Sequence, residues 1–337
     1  MLSALPLLLL VWMQTTPAAL PHLEACSESL QRNEVQAAVK ACKLAVGLDT
    51  QSAAAHFLLA QAYLAMRSAS MVAEAKAELQ QALDIDDTLI WARFYLAKVY
   101  LDIGRPDKAK QELEQALNTR PGVAHFLSLL GEAERKLGHP AGAIELHRKA
   151  LAADPKMNTA HYYIALALMD LKREDEAITE LEESLRSPYV ASDLYLTLGS
   201  LYAQHKRFRE AEELCRKAIA LEPERSEGYL NLAQLFNAQN QSGKALAALR
   251  QALPEGKTFA SSAYYQKLQA DIHFEFGRAY AVKGAAGEAV LAFERCVAMD
   301  SGRAEAHRRL AGLYRSHGDA ARADEQAGMA AKLDGGQ

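Results

Sequence analysis

The 337 residues carry 38 Lys and Arg against 42 Asp and Glu, a formal net charge of −4, and half of them are apolar. This near-neutral balance, with no Lys/Arg run and no basic-aromatic stripe, excludes the electrostatic footprint of a nucleic-acid binder. Ordinary Pro and Gly usage excludes a long disordered or low-complexity chain. A single hydrophobic core is strained at this length, whereas a stack of small units has no such limit.

In chain order, the first element is an apolar run from Leu2 to Met13, followed by Gln14-Thr15-Thr16-Pro17-Ala18-Ala19. The run is shorter than the roughly 20 residues that span a bilayer. It fits the apolar core of a secretory signal, with Thr16-Pro17-Ala18 or Pro17-Ala18-Ala19 as a small-residue cleavage site, so residues 1–19 read as a signal peptide or apolar leader. No Lys or Arg precedes the run, which leaves a membrane tether or a different start as the competing explanation. Leu23-Glu24-Ala25-Cys26 is a poor lipoprotein site, because Glu24 is acidic and the apolar run is distant.

The chain is then measured out by alanines. Ala75, Ala109, Ala143, Ala177, Ala211 and Ala245 lie 34 residues apart, with Ala38 preceding by 37, Ala289 following by 44 and Ala323 by a further 34. Twelve places before most of them stands a small residue: Ala97, Gly131, Ala165, Gly199, Ala233, Gly277, Ala311. An apolar residue precedes each small one, and Tyr100, Tyr202, Phe236, Tyr280 and Tyr314 lie nine before the alanine. Gly104, Gly138, Gly284 and Gly318 lie five before it, where a first helix would end, and Pro121, Pro155 and Pro223 lie twelve after it, where a second would stop. Each unit is thus two amphipathic helices that cross closely where side chains are small, and neither buries its apolar face without a neighbour. The units tile as 19–52, 53–89, 90–123, 124–157, 158–191, 192–225, 226–259, 270–303 and 304–337. The excess at Arg67-Ser68-Ala69-Ser70-Met71 predicts a longer turn. The ten residues between the seventh and eighth units predict a helix lengthened by nearly three turns, running from about Thr258 to Val282 and carrying Ala263, Tyr264 and Tyr265. The last helix, Ala320 to Leu333, is a free cap or a dimer surface, and its small, polar composition favours the cap.

This pattern resembles the tetratricopeptide repeat family. It does so most closely in Tyr195-Leu196-Thr197-Leu198-Gly199-Ser200-Leu201-Tyr202 with Ala211, Cys215, Ala218 and Pro223. Departures are local: Glu134 and Leu168 replace the aromatic, Lys172, Lys206 and Asn240 replace the turn glycine, and the first unit keeps only its second helix well. The resemblance implies an all-α fold, a right-handed α–α solenoid of about nine helix hairpins over 20–337. In that family the first helices line a concave groove, which here implies Phe57, Gln61 and Leu64; Phe94, Lys98 and Leu101; Ser128, Glu132 and Arg135; Tyr162, Leu166 and Met169; Leu196, Ser200 and Ala203; Leu230, Gln234 and Asn237; and Phe274, Arg278 and Ala281, with Trp91 at the rim. Some of these side chains are contacts and others fill space between neighbouring helices. Glu132, Arg135 and Lys136 form a charged patch between apolar stretches. The Lys/Asn/Arg clamp with which some members hold an acidic tail is missing, so an extended or helical segment with apolar anchors is the expected ligand.

The same resemblance places Cys26 and Cys42 in facing slots of the first hairpin. They read either as a disulfide closing a loop of about 16 residues or as two small core residues. Cys215 and Cys296 occupy core slots of different units. No CxxC, HExxH, P-loop, GxGxxG or GxSxG occurs, and the tiling leaves no room for a catalytic domain, so no catalytic, metal or cofactor residue is assigned. His56, His161, His273 and His307 recur at one repeat position, and His125 and His147 lie on separate helices of one unit, a pairing that does not by itself make a metal site. The expectation is a non-enzymatic, exported scaffold, periplasmic or secreted, that binds a protein or peptide. A cytosolic adaptor with an uncleaved leader, or an accessory subunit of an enzyme, is the alternative. The oligomeric state is left open.

Overall fold

The computed structural model describes residues 15–68, 70–188, 190–254 and 263–335, and among them every regular element is an α-helix. The apolar run of residues 2–13 lies outside the described residues, as does the 258–262 part of the predicted long helix. The chain divides into two compact units, residues 1–184 and 185–337, where the sequence pattern suggested one continuous array.

The N-terminal unit holds five hairpins: α1 (Leu20–Gln31) with α2 (Val35–Leu48), α3 (Ala53–Ala65) with α4 (Met71–Ile85), α5 (Ile90–Asp102) with α6 (Pro106–Thr119), α7 (Ala124–Lys136) with α8 (Pro140–Ala153), and α9 (Thr159–Asp170) with α10 (Glu174–Ser184). The C-terminal unit holds four: α11 (Ser192–Gln204) with α12 (Phe208–Leu221), α13 (Ser226–Ala238) with α14 (Ser242–Ala252), α15 (Ala263–Lys283) with α16 (Ala286–Met299), and α17 (Ala304–Ser316) with α18 (Ala320–Asp334). Within each unit a helix packs on its hairpin partner and then on the next hairpin, which is the α–α solenoid expected. The weakly patterned first helix forms in full as α1. The break between units falls just after α10, ahead of a stretch that contains Pro188.

The alanine ruler is a packing rule. All nine ruler alanines have no exposed surface. The residue four places further on faces the small slot of the first helix, and the two positions trade volume. Leu79, Leu113 and Leu181 are fully buried opposite Ala60, Ala97 and Ala165. Where the facing residue is larger, the slot is glycine: a Cβ on Gly131 would sit 2.7 Å from His147 Nε2, and one on Gly277 would sit 2.6 Å from the Phe293 ring. In the first hairpin the same two positions are Cys26 and Cys42, joined by a disulfide with Cα atoms 5.1 Å apart. Interiors packed this closely register single methylenes, so each hairpin satisfies the rule in its own way.

The turns are equally regular. Each first helix is followed by a residue with positive φ, and in every hairpin but that of α3 the next residue donates its N–H to the carbonyl five residues back, as Arg105 does to Tyr100 O (2.7 Å) and Arg207 to Tyr202 O (2.8 Å). Gly104, Gly138, Gly284 and Gly318 adopt this left-handed conformation, and so do the replacements Lys172, Lys206 and Asn240, at φ 61°, 61° and 56°. A side chain there costs about 1–2 kcal/mol. Lys206→Gly should therefore stabilise the C-terminal unit by about 1 kcal/mol, net of the added freedom of the unfolded chain, as read by denaturant unfolding. An unchanged or lower midpoint would refute this.

The residues just after the apolar run are part of the packing. Ala19 is fully buried, the Thr15 hydroxyl lies 2.8 Å from that of Ser52, and Thr16 N–H donates to Asp49 Oδ2 at 2.7 Å. The α3–α4 turn spans Met66 to Ser70, the longer connection expected. Helix α15 is 21 residues long, so within the described residues it exceeds the other first helices by about two turns.

Candidate functional site

In the N-terminal unit the aromatic side chains expected to line a groove mostly pack on one another. Phe57 and Leu101 are 6% and 7% exposed. Trp91 meets Phe94 (5.6 Å between ring centroids) and Phe126 (5.1 Å), Phe94 stacks on Phe126 (5.3 Å), and Phe57 meets Tyr95 edge-on (5.7 Å). Phe126, which the sequence did not single out, is the fully buried centre of this cluster. Trp91, Phe94, Tyr162, Leu166 and Met169 keep a partly exposed face, and Lys98 is exposed.

The charged patch is internally neutralised. Arg135 donates from Nε and Nη2 to both oxygens of Glu132 (2.9 and 3.0 Å) and from Nη1 to Asp170 of α9 (2.9 Å), and Lys136 lies 3.7 Å from Glu132. The hydrogen bonds it donates to Glu132, opposed by burial and helped by Asp170, hold the guanidinium's pKa above its ordinary value. Such a fork ties α7 to α9 and leaves little free charge for a ligand.

The histidines are structural. His56 Nδ1 lies 2.5 Å from Glu78, His161 Nδ1 2.7 Å from Glu180, and His307 Nδ1 2.6 Å from Gln326, one bond at the same place in three hairpins. His147 is fully buried, 3.2 Å from the Ser128 hydroxyl, and stacked on Tyr163 at 5.4 Å. His125 is only partly buried, and burial lowers its pKa. Among the described residues no cluster of three His, Cys, Asp or Glu side chains is arranged to hold a metal, and no helix is long and apolar enough to cross a membrane.

In the C-terminal unit Leu196, Leu230 and Phe274 are 8%, 5% and 8% exposed and belong to the core, with the Arg303 guanidinium 4.7 Å over the Phe274 ring. The more polar groove positions beside them open onto two pockets, one on each side of α13. The first, about 280 Å³, is lined by Gly199, Ser200, Ala203 and Gln204 of α11, Cys215 of α12, and Asn231, Gln234, Leu235 and Ala238 of α13. It exists because this hairpin breaks the volume rule. A Cβ on Gly199 would meet Ala211 O and Leu214 Cβ at 3.5 Å and the Cys215 sulfur at 3.6 Å, ordinary contacts rather than the close approach of an imidazole or phenyl ring seen at Gly131 and Gly277. Burial pushes the Cys215 thiol up to about 12, with Glu212 adding to the effect, so it is an inert wall and not a nucleophile. The second pocket, about 200 Å³, is lined by Asn237, Asn240, Arg278, Ala281, Val282, Phe293 and Arg309. Ser200, Ala203, Gln234, Asn237, Arg278 and Ala281 were expected in the groove. Cys215, Asn240 and Arg309 were not, and the Gly199–Cys215 pairing was the one sequence signal that could have located the first pocket.

Consecutive two-helix hairpins with small residues at each crossing define a helical repeat protein. The tetratricopeptide repeat is the family description matched by residues 66–133, 129–191 and 202–272, together more than half of the sequence. The chain belongs to the tetratricopeptide repeat family. It is 25% identical over 154 residues to tetratricopeptide repeat-containing protein trd-1 of Caenorhabditis elegans, covering 46% of this chain and 19% of that one. It is 24% identical over 179 residues to anaphase-promoting complex subunit 3 of Schizosaccharomyces pombe, covering 53% and 26%. The chain thus matches about a fifth to a quarter of the length of these relatives. Among solved structures, the APC/C hetero-tetramer Cut9–Hcn1 shares the fold with a TM-score of 0.64 at 14% identity, covering 93% of this chain and 72% of that one. Arrays of this kind are scaffolds for protein–protein interaction.

Proposed function

We propose that this protein is a non-enzymatic scaffold or adaptor that holds a peptide segment of a partner protein on the first helices of its C-terminal unit, with one side chain of that segment seated in the Gly199–Cys215 pocket. The observation that carries this is the vacancy itself. The other hairpins between the first and the last fill this position with leucine, histidine or phenylalanine, whereas here Cys215 beside Gly199 leaves about 280 Å³ open, walled by small and amide side chains that orient a ligand without a charge. The N-terminal unit supports the assignment by contrast, since several of its aromatic rings pack on one another and Arg135 is held by Glu132 and Asp170.

An exported setting, in the assembly of periplasmic or envelope complexes, is part of the proposal. The apolar run and small-residue site at residues 2–19 support it, and so does the Cys26–Cys42 bridge, since structural disulfides persist in oxidising compartments. Fractionation of cells making the native chain, with sequencing of its N-terminus, tests this. A reduced, unprocessed cytosolic protein would establish the alternative adaptor instead.

The groove is tested with Cys215→Leu, which restores the filling found in the sister hairpins. It should stabilise the fold by about 0.5–2 kcal/mol as a cavity-filling change and weaken, by about tenfold or more, peptides selected from a random display library on the native chain. Stabilisation with full retention of those peptides would move the binding surface away from this pocket.

A further inference from the structure

The Gly199–Cys215 pocket carries in its shape a preference for one kind of side chain. Between the first and last hairpins, the slot and the residue facing it pair by size. Where the slot is alanine, as at Ala60, Ala97, Ala165 and Ala233, the facing residue is leucine, and Leu79, Leu113, Leu181 and Leu249 are fully buried. Where the slot is glycine and the hairpin is filled, the facing residue is a ring that lies against the bare backbone. His147 does so at Gly131 and Phe293 at Gly277, 2.7 and 2.6 Å from where a Cβ would stand. Gly199 is a slot of this second kind without its ring. A Cβ there would make only ordinary contacts, so the packing inside the hairpin does not call for glycine at a helix-interior position where alanine is the better helix former.

The walls agree with a ring. Leu235 and the soft Cys215 sulfur, each 2% exposed, form the buried part of the lining. Ser200, Gln204 and Gln234 are exposed, and no lining side chain is charged. A carboxylate or an ammonium group would be desolvated here without a counter-ion. An imidazole would bring its ring nitrogens against a thiol and a leucine, and even His147, in the equivalent place, leaves Nε2 buried and unpaired. A leucine has the shape that suits an alanine slot, and over Gly199 it would leave a gap that forfeits contacts. A flat carbon ring can lie directly on the glycine, as Phe293 does on Gly277, and about 280 Å³ is room enough for it. We infer that this pocket receives the aromatic ring of a phenylalanine, tyrosine or tryptophan of the bound segment, so that the ligand supplies the ring that Phe293 supplies within its own hairpin. The inference rests on the peptide-binding function proposed above and adds sequence selectivity to it.

The test is a random-peptide display selection on the full native chain, followed by affinity measurements with synthetic peptides. The expected result is an aromatic residue at one fixed position, with a loss of about tenfold or more when that residue becomes Leu, as when an apolar pocket is left partly unfilled. Gly199→Ala is the decisive variant. It should raise the denaturant midpoint of the free protein, because the methyl group replaces a helix glycine without a clash. It should also weaken the aromatic peptide by about tenfold or more, because that methyl group takes the place of the ring, while the Leu analogue binds as well as before or better. Such a reversal is a coupling between the two changes that a general loss of fold would not produce. Selected peptides that lose affinity in Cys215→Leu but share no aromatic residue, or whose aromatic residue is indifferent to Gly199→Ala, would overturn this inference and leave the groove function standing. Peptides held equally by Cys215→Leu and the native chain, or a selection that yields no binding peptide, would overturn both.

Discussion

Reducing the Cys26–Cys42 disulfide, or replacing both cysteines with alanine, should destabilise the first hairpin by about 3 kcal/mol, the chain-entropy value for a loop of this length. The two residues are 16 apart in sequence with Cα atoms 5.1 Å apart, within the roughly 4.4–6.8 Å usual for disulfides. The effect should be local. Among the described residues α1 packs on α2 and α3, so the cross-link adds to the hold of a hairpin with few helix neighbours. Hydrogen exchange should show the amides of α1 and α2 losing protection on reduction, while those of the C-terminal unit keep theirs. Titration of the unreduced protein should find two thiols after denaturation and almost none before, because Cys215 and Cys296 are buried. Unchanged protection of α1 after reduction would show that packing alone holds the hairpin.

Acidification should weaken the N-terminal unit through His147. Burial, reinforced by the nearby charge of Arg135, lowers this imidazole to about 4. The folded state therefore keeps the ring neutral while the unfolded chain, titrating near 6.5, takes up a proton. The stability that His147 contributes is complete above that pH and falls progressively as pH drops from 6.5 towards 4. The loss reaches about 3 kcal/mol, at 1.36 kcal/mol per pH unit. His56 works in the opposite sense. Burial disfavours its charge, but its bonds to Glu78 and Thr50 O outweigh burial and raise its pKa, so its contribution is present at low pH and fades as pH rises through the raised value. The net acid sensitivity should thus be smaller than His147 alone would give, and His147→Leu should remove most of it.

The volume rule sharpens that prediction. Gly131→Ala alone should destabilise the unit, because its Cβ would stand 2.7 Å from His147 Nε2 and overpacking costs about 1–3 kcal/mol. Combined with His147→Leu it recreates the Ala97–Leu113 pair, so the double variant should be more stable than the sum of the single changes predicts. Urea unfolding of the four proteins at pH 7 and pH 5 measures both effects. Additive energies, or an acid response that survives His147→Leu, would refute them.

Much of this protein was legible from local chemistry. The alanine ruler, the small slot twelve residues before it, and the glycine and proline punctuation each report on a residue and its neighbours within one hairpin. They located the hairpins and the turns without reference to the rest of the chain, and the family resemblance placed the two cysteines in facing slots. Even the departures were visible: Lys206 and Asn240 stand where glycine is expected, and the backbone takes the same left-handed turn.

What tertiary structure decided was how volumes and charges add up between helices distant in sequence. Phe57 and Phe94 occupy the same repeat position, yet Phe57, against Tyr95 of the next hairpin, is buried, whereas Phe94, stacked on Phe126 of its next hairpin, keeps an open face. Arg135 looked like a ligand-binding cation until Glu132 and Asp170 closed on it from two helices. The division after Ser184 and the two pockets flanking α13 depend on which side chains face each other across repeats. Periodicity belongs to the hairpin and can be read along the chain, whereas a cavity or a neutralised charge is a sum over facing surfaces and exists only once the hairpins have stacked.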